Sequence, residues 1–221
     1  MDLKNTDLKN AAYEAQVAGH KRLLFQRLRA LLSQEASSSS PAREPVLVEL
    51  GIGGFPNAPY YQGWGGLRVI GIEPDAAKHP RAAARAAEFG LNLRILPAVA
   101  ENLPLPDSSV DAVVSTCTLC TVADVQQTLS EVKRVLKAEG GFAFFEHVRC
   151  ETDEALAARQ ALATPAELRR WGCRLDRRTL QEIGAAGFSA LLGVVDGSAC
   201  YFDLPTDSDL MSPTVLGIAR P

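Results

Sequence analysis

Long apolar runs are missing from this chain. No stretch approaches the roughly 20 consecutive apolar residues that a bilayer-spanning helix needs, so a soluble protein is expected. A surplus of positive charge is missing too: 23 Lys and Arg against 26 Asp and Glu leave a formal net charge of −3. Such a chain has no broad basic field to hold a phosphate backbone, which removes nucleic acid as the default partner and favours a small-molecule or protein substrate. Cysteine is sparse: five in 221 residues, an odd number and widely spread, do not make the dense framework of a small secreted domain. Free thiols in the cytoplasm or another reducing soluble compartment are expected instead. The N-terminal residues are polar, with no targeting-like apolar segment. No period of roughly 20 to 50 residues repeats, which sets solenoids aside.

What is present suffices for one core. Hydrophobic residues make up 47% of the chain, and the length matches one domain better than two. Over residues 11–34, Val17, Leu24, Leu28 and Leu31 recur at three-to-four-residue steps with Lys21, Arg22, Arg27 and Arg29 between them, the pattern of an amphipathic helix. The run Ser37-Ser38-Ser39-Ser40-Pro41 breaks it. The expected organisation is a helical extension over 1–36, a linker over 37–45, and a domain over 46–221.

Within that domain, short apolar runs at 46–50, 67–72, 93–96, 112–115 and 141–145 alternate with helical stretches at 75–89 and 123–137, the second closing near Gly140-Gly141. This alternation predicts an α/β fold with a mostly parallel sheet. Helices at 153–163 and 176–186 and late strands at 188–195 and 213–219 complete it, the late strands forming an antiparallel edge.

The first strand runs straight into Glu49-Leu50-Gly51-Ile52-Gly53-Gly54, where missing β-carbons let a ligand approach the backbone at the carboxyl end of the sheet. A tight strand-to-helix turn would need glycine as well, so position in a larger pattern decides. The second strand ends at Glu73-Pro74-Asp75, placing Glu73 about 20 residues past the glycines, where a carboxylate accepts both ribose hydroxyls. Asp75 reads as a helix cap. Glycine loop plus spaced acid also fits a nicotinamide cofactor.

Two further segments separate these readings: Ala98-Val99-Ala100-Glu101-Asn102-Leu103-Pro104, and Ser109-Val110-Asp111-Ala112-Val113-Val114-Ser115-Thr116. With them the chain resembles the class I S-adenosylmethionine-dependent methyltransferases, in which an A-E-x-L-P segment lies beside adenine and an S-x-D-x-V-V strand leads to the active site. Glu131-Val132-Lys133-Arg134-Val135-Leu136-Lys137, Phe144-Phe145-Glu146-His147-Val148, Gly172-Cys173-Arg174-Leu175 and Lys21-Arg22-Leu23-Leu24-Phe25 are similar to the thiol methyltransferase branch (methyltransferase type 11 domain) and its plant relatives. The resemblance implies a Rossmann-like seven-stranded sheet, S-adenosylmethionine as cofactor with S-adenosylhomocysteine as product, and methyl transfer to a small acceptor such as a thiol. A non-catalytic cofactor-binding protein of the same fold is the alternative. Cofactor contacts are expected from Glu49, Gly51, Gly53, Gly54, Asn57, Glu73, Pro74, Ala100, Glu101 and Thr116. The N-terminal helix is expected to be a lid over the cofactor.

Three positions depart from the family pattern: Phe55 replaces a glycine of the first loop, Trp171 an Asp before Gly172-Cys173, and Thr214 a histidine of the last strand. Phe55 is expected to narrow the methionine end of the pocket or push the turn outward. Methyl transfer needs no covalent residue, only an acceptor lined up behind the sulfonium methyl. His147, after the fifth strand, is the expected base for the acceptor. Tyr60, Tyr61 and Trp64 are candidates to line the pocket, and His79 is expected to be exposed. The C-x-x-C pair Cys117 and Cys120, with Cys150 and Cys173, could gather thiols on one face for a metal or metalloid. Buried, idle thiols and no metal site are the expectation, because a structural zinc site wants four close ligands.

Overall fold

A computed structural model describes residues 3–38, 44–192, 200–203 and 209–221, with side chains described for 11–33, 44–188 and 209–221. The chain opens with one long helix, α1 (Leu3–Ser38), which extends beyond both predicted ends. Most of the expected linker, residues 39–43, lies outside the described residues. Then come β1 (Val46–Leu50), β2 (Arg68–Ile72), α2 (His79–Glu88), β3 (Asn92–Leu96), β4 (Val110–Thr116), α3 (Val125–Val135), β5 (Leu136–His147), α4 (Glu154–Trp171), α5 (Thr179–Ala185), β6 (Ser189–Leu192), β7 (Cys200–Asp203) and β8 (Pro213–Arg220).

The sheet runs β3-β2-β1-β4-β5-β8-β6. The first five strands are mutually parallel, and β8 is antiparallel to β5 and to β6. β7 pairs with Pro213 to Leu216 of β8 while β6 pairs with Ile218 to Arg220, so β6 and β7 follow one another along one edge of β8. The eight strands thus fill seven positions. β7 carries no signal that the sequence reading used. The part of the predicted strand beyond Leu192 lies outside the described residues.

Successive strand residues face opposite sides, and both sides are covered, which is why the strands read as continuous apolar runs. On one face Leu47, Val69, Val114, Phe145 and Ile218 pack with Val17, Leu24, Leu28 and Leu31 of α1 and Ala82 and Ala86 of α2. On the other, Val48, Ile70, Val113, Phe144 and Val215 pack with Val125, Leu129 and Val132 of α3 and Ile183 of α5. The four α1 positions picked out by periodicity are all buried. α1 is therefore part of the core layer, not an appendage beside it.

Local chemistry sets the helix ends. Asp75, Asp124 and Asp153 each accept backbone N–H bonds as caps, and α4 stops at Gly172, with φ of 73°. Boundaries differ from expectation here too: α4 continues to Trp171, past its expected end at 163, and α3 ends at Val135, so that Gly140-Gly141 lies inside β5. Gly140 is needed there for close approach, since a β-carbon would sit 3.1 Å from the Asp111 carbonyl oxygen and 2.9 Å from that of Lys137.

Candidate active site

β1 and β4 are neighbours in space but not in sequence, so the chain diverges at their carboxyl ends and leaves a crevice there. Gly51 follows β1 with φ of 58° and Gly53 has φ of 53°, left-handed values that cost an L-residue strain. A β-carbon on Gly51 would also meet the Thr118 hydroxyl at 2.6 Å. That hydroxyl donates to the Leu50 carbonyl at 3.0 Å and ties the two strand ends together.

A cavity of about 690 Å³ opens here, in the range of small-molecule sites. Of the predicted cofactor residues, Glu49, Gly51, Gly53, Gly54 and Thr116 line it. Asn57 stands one layer behind, fully buried, donating through Nδ2 to Glu49 at 3.0 Å and to Thr116 at 2.9 Å. Glu73 is buried at the end of β2, where its carboxylate accepts from Gly53 N at 3.1 Å and Asp75 N at 2.9 Å. Each oxygen offers two lone pairs, so Oε2 keeps acceptor capacity after the Gly53 bond. Pro74 is exposed beside it.

Asn57, Glu73 and Pro74 are not among the lining residues, and neither are the other predicted ones. Ala100 is buried in the core beside Ile72 and Leu103. The Glu101 carboxylate turns to the start of α3, accepting from Ala123 N at 2.8 Å and Asp124 N at 3.3 Å. His147 is buried at the end of β5, and the Tyr13 hydroxyl stands 3.2 Å from its Nε2 on the cavity side. His147 is absent from the cavity lining, and the Tyr13 hydroxyl stands between them.

What α1 brings to the cavity is not visible in the sequence pattern. Tyr13, Glu14 and Lys21 all line the cavity. Lys21 is only 1% exposed, its ammonium 2.8 Å from Glu14. Its positive charge is felt by Glu49, which lines the same cavity. Glu49 is itself fully buried and accepts from the Tyr61 hydroxyl at 2.6 Å. Burial pushes its carboxyl up to about 7, against the lowering effect of the Tyr61 and Asn57 hydrogen bonds and the Lys21 charge. Only the noted Lys21-Arg22-Leu23-Leu24-Phe25 resemblance could have pointed to Lys21; nothing local marked Tyr13.

Phe55 overturns its expectation. It keeps a glycine-like φ of 61°, yet its ring is fully buried in the core, 5.8 Å from the Tyr61 ring, and does not narrow the cavity. Tyr60 lines the cavity and stacks on Phe25 at 5.0 Å, whereas Tyr61 and Trp64 pack edge to face at 5.5 Å. His79 is half-buried, with Nε2 2.8 Å from the Glu73 carbonyl oxygen. Trp171 is 44% exposed at the end of α4, beneath the Arg170 guanidinium and outside the cavity lining. Thr214 is buried directly opposite His147 in the β5–β8 ladder.

Cys117 begins the loop after β4 with φ of 52°, a left-handed strain at the cavity wall. Its Sγ lies 3.2 Å from the Tyr13 hydroxyl. Burial, with the nearby Glu146 charge, pushes its thiol up to about 12, so it is protonated at neutral pH and unsuited to act as a nucleophile. Burial likewise raises Tyr13 far beyond the ordinary phenol range. Neutral hydrogen-bonding groups therefore form this end of the cavity. Glu146 is fully buried behind it, accepting from Ser115 Oγ at 2.6 Å and Thr118 N at 3.1 Å, with its carboxyl raised by burial.

A family model described as a methyltransferase domain matches residues 48–144. The thiol S-methyltransferase TMT1A of Homo sapiens is 32% identical over 212 residues, covering 94% of this chain and 80% of that protein. TMT1B of Rattus norvegicus is 34% identical over 166 residues, covering 73% and 67%. The solved structure of YcgJ from Bacillus subtilis superimposes with a TM-score of 0.63 at 17% identity, over 86% of this chain and 97% of that one. That of geranyl diphosphate methyltransferase in complex with SAM gives 0.59 at 15% identity, over 87% and 84%. The two structural likenesses establish the fold, and the longer sequence matches set aside the nicotinamide reading. With a relative one-third identical along most of both chains, this protein belongs to the class I S-adenosylmethionine-dependent methyltransferases and is an enzyme of methyl transfer related to the thiol S-methyltransferases.

Proposed function

We propose that this enzyme binds S-adenosylmethionine in the Gly51 cavity and methylates a small thiol. The observation that carries the cofactor assignment is that the Glu49 carboxyl and the Lys21 ammonium, itself paired with Glu14, both line this cavity. An amino-acid zwitterion matches it, with its ammonium toward Glu49 and its carboxylate toward Lys21. Glu73 takes the ribose hydroxyls, with Gly51, Gly53 and Gly54 giving the backbone close approach. Asn57 supports this part of the cavity: it donates to Glu49 and Thr116, and its buried Oδ1 has no partner among the described residues. In this reading Pro74, Ala100 and Glu101 shape the adenine end through their backbone, since the Glu101 carboxylate is already engaged with α3. In this reading α1 covers the cavity with Tyr13, Glu14 and Lys21 while packing into the core of the catalytic domain.

Bound S-adenosylmethionine supplies an electrophilic methyl on a positive sulfonium. The chain's part is to exclude water and hold an acceptor in line. Tyr13, Tyr60 and Cys117 offer the acceptor neutral groups in the cavity lining, next to Glu14, which is paired with Lys21. A free thiol is partly ionised near neutral pH, and its proton leaves to solvent before transfer. The acceptor sulfur lone pair forms the new S–C bond as the old one breaks, its electron pair remaining on the homocysteine sulfur. His147 is a positioning residue, holding Tyr13 at 3.2 Å. The thiol acceptor rests on the thiol S-methyltransferase relatives.

The test is an acceptor panel with S-adenosylhomocysteine formation as the readout. Thiols are expected to turn over at least tenfold faster than matched phenols and amines. Equal or higher rates with phenols or amines would contradict the thiol reading, and cofactor binding without any turnover would remove it.

A further inference from the structure

Cys120, His147 and Cys173 come from three separate parts of the chain and meet behind the cavity wall. Their ligand atoms all lie within 4.8 Å of one another, and all three side chains are buried. We propose that these residues form a binding site for a thiophilic divalent cation, zinc being the simplest occupant.

Geometry comes first. Tetrahedral zinc, with bonds of roughly 2.3 Å to sulfur and 2.0 Å to nitrogen, needs ligand atoms about 3.5–3.8 Å apart. With all three ligand atoms within 4.8 Å of one another, the trio has at most about 1.3 Å to close to reach that spacing. Each ligand is also fixed in advance by its backbone. The Cys120 carbonyl accepts from Arg174 N at 2.8 Å, which joins the loop after β4 to the segment bearing Cys173. Leu175 N donates to Thr164 Oγ1 at 3.2 Å and holds that segment against α4. His147 sits in the β5–β8 ladder opposite Thr214. A cation would therefore find a preformed site.

Donor chemistry comes second. Two sulfurs and one imidazole, with no carboxylate among them, match zinc and other soft or borderline ions and disfavour magnesium and calcium. The imidazole also has the outer partner that ligating histidines use: its Nε2 is engaged by the Tyr13 hydroxyl, which leaves Nδ1 for a cation and fixes the ring. Among the described residues this is the one group of three metal-ligating side chains so arranged. Cys150, also buried, stands apart from it, 3.7 Å from the Thr152 hydroxyl. Three protein ligands leave a fourth coordination position open, as catalytic zinc sites do. Because Tyr13 connects His147 to the cavity, an ion here would stiffen the wall against which the acceptor rests. Only that last step depends on the proposed acceptor site.

The test uses the full chain, reduced, stripped with a chelator and titrated with Co²⁺ and Zn²⁺. Expected are about one ion per chain, tetrahedral Co²⁺ bands with thiolate charge transfer, and a rise in Tm on adding Zn²⁺. Cys120→Ser, Cys173→Ser and His147→Asn should each weaken binding at least tenfold, while Cys150→Ser keeps wild-type binding. A measurement on the unsubstituted protein does not depend on how the variants fold: Zn²⁺ should protect Cys120 and Cys173 from alkylation and leave Cys150 unprotected. Absence of stoichiometric binding, binding that survives all three substitutions, or equal protection of Cys150 would overturn the proposal. So would a Cys120–Cys173 disulfide that persists while no ion binds after reduction. None of these readouts uses methyl transfer, so failure here leaves the acceptor reading standing.

Discussion

Replacing Glu49 by Gln should change how stability depends on pH. Burial holds the Glu49 carboxyl at about 7, against an ordinary value of 4.5. A carboxyl with a raised folded pKa keeps its proton better folded than unfolded. Its contribution is therefore fully present below pH 4.5 and is lost as pH rises through about 7. The difference between those two values, at roughly 1.36 kcal/mol per unit, amounts to about 3 kcal/mol. Glutamine keeps the shape and an acceptor oxygen for Asn57 but cannot titrate. Other buried groups such as Glu146 also titrate, so the quantity to follow is the stability of Glu49→Gln minus that of wild type, from urea unfolding at a series of pH values. That difference should grow by about 3 kcal/mol between pH 4.5 and about 7.5 and then flatten. A constant difference across that range would refute the reasoning. The same proton affects the cofactor. An ammonium group against Glu49 calls for the carboxylate, so wild-type affinity for S-adenosylmethionine should rise by up to about tenfold per pH unit on approaching 7.

Other substitutions probe the rest of the wall. Phe55→Ala should cost about 3–4 kcal/mol for the emptied core site, whereas Phe55→Gly, freed of the strain at φ of 61°, should cost about 1 kcal/mol less; chemical denaturation giving the usual order, with Gly the less stable, would contradict this. Tyr13→Phe loses the contacts to Cys117 and His147 and keeps the packing, so kcat/KM should fall about tenfold with little change in the urea midpoint. Lys21→Met should weaken cofactor binding in calorimetry by at least about tenfold, the value of one charge-assisted hydrogen bond, and leave kcat much less affected.

The sheet and the glycine turn could be read from sequence because their causes are local. β1 is an apolar run buried on both faces, and Gly51 needs its left-handed φ within the same turn. Asp75 was legible as a cap for the same reason. The contribution of α1 was only half legible. Periodicity marks Val17 and Leu24 as inward-facing, but that Tyr13 and Lys21 reach the β1–β4 crevice depends on how α1 crosses β4 and β5, a long-range fact. Phe55 was misread because a family glycine was equated with an empty space. The backbone keeps the glycine conformation while the ring turns down into the core. The meeting of Cys120 and Cys173 at His147 was not legible for a similar reason, since the two cysteines are far apart in sequence and only the fold brings both there.

The most direct test of the account is a single-turnover reaction with S-adenosylmethionine carrying a trideuterated methyl and a small alkyl thiol, followed by mass spectrometry. The account predicts a thioether bearing the labelled methyl and S-adenosylhomocysteine in equal amount, both lost together in Glu73→Ala. Labelled thioether formed at the rate of a protein-free control, or equally well by Glu73→Ala, would contradict it.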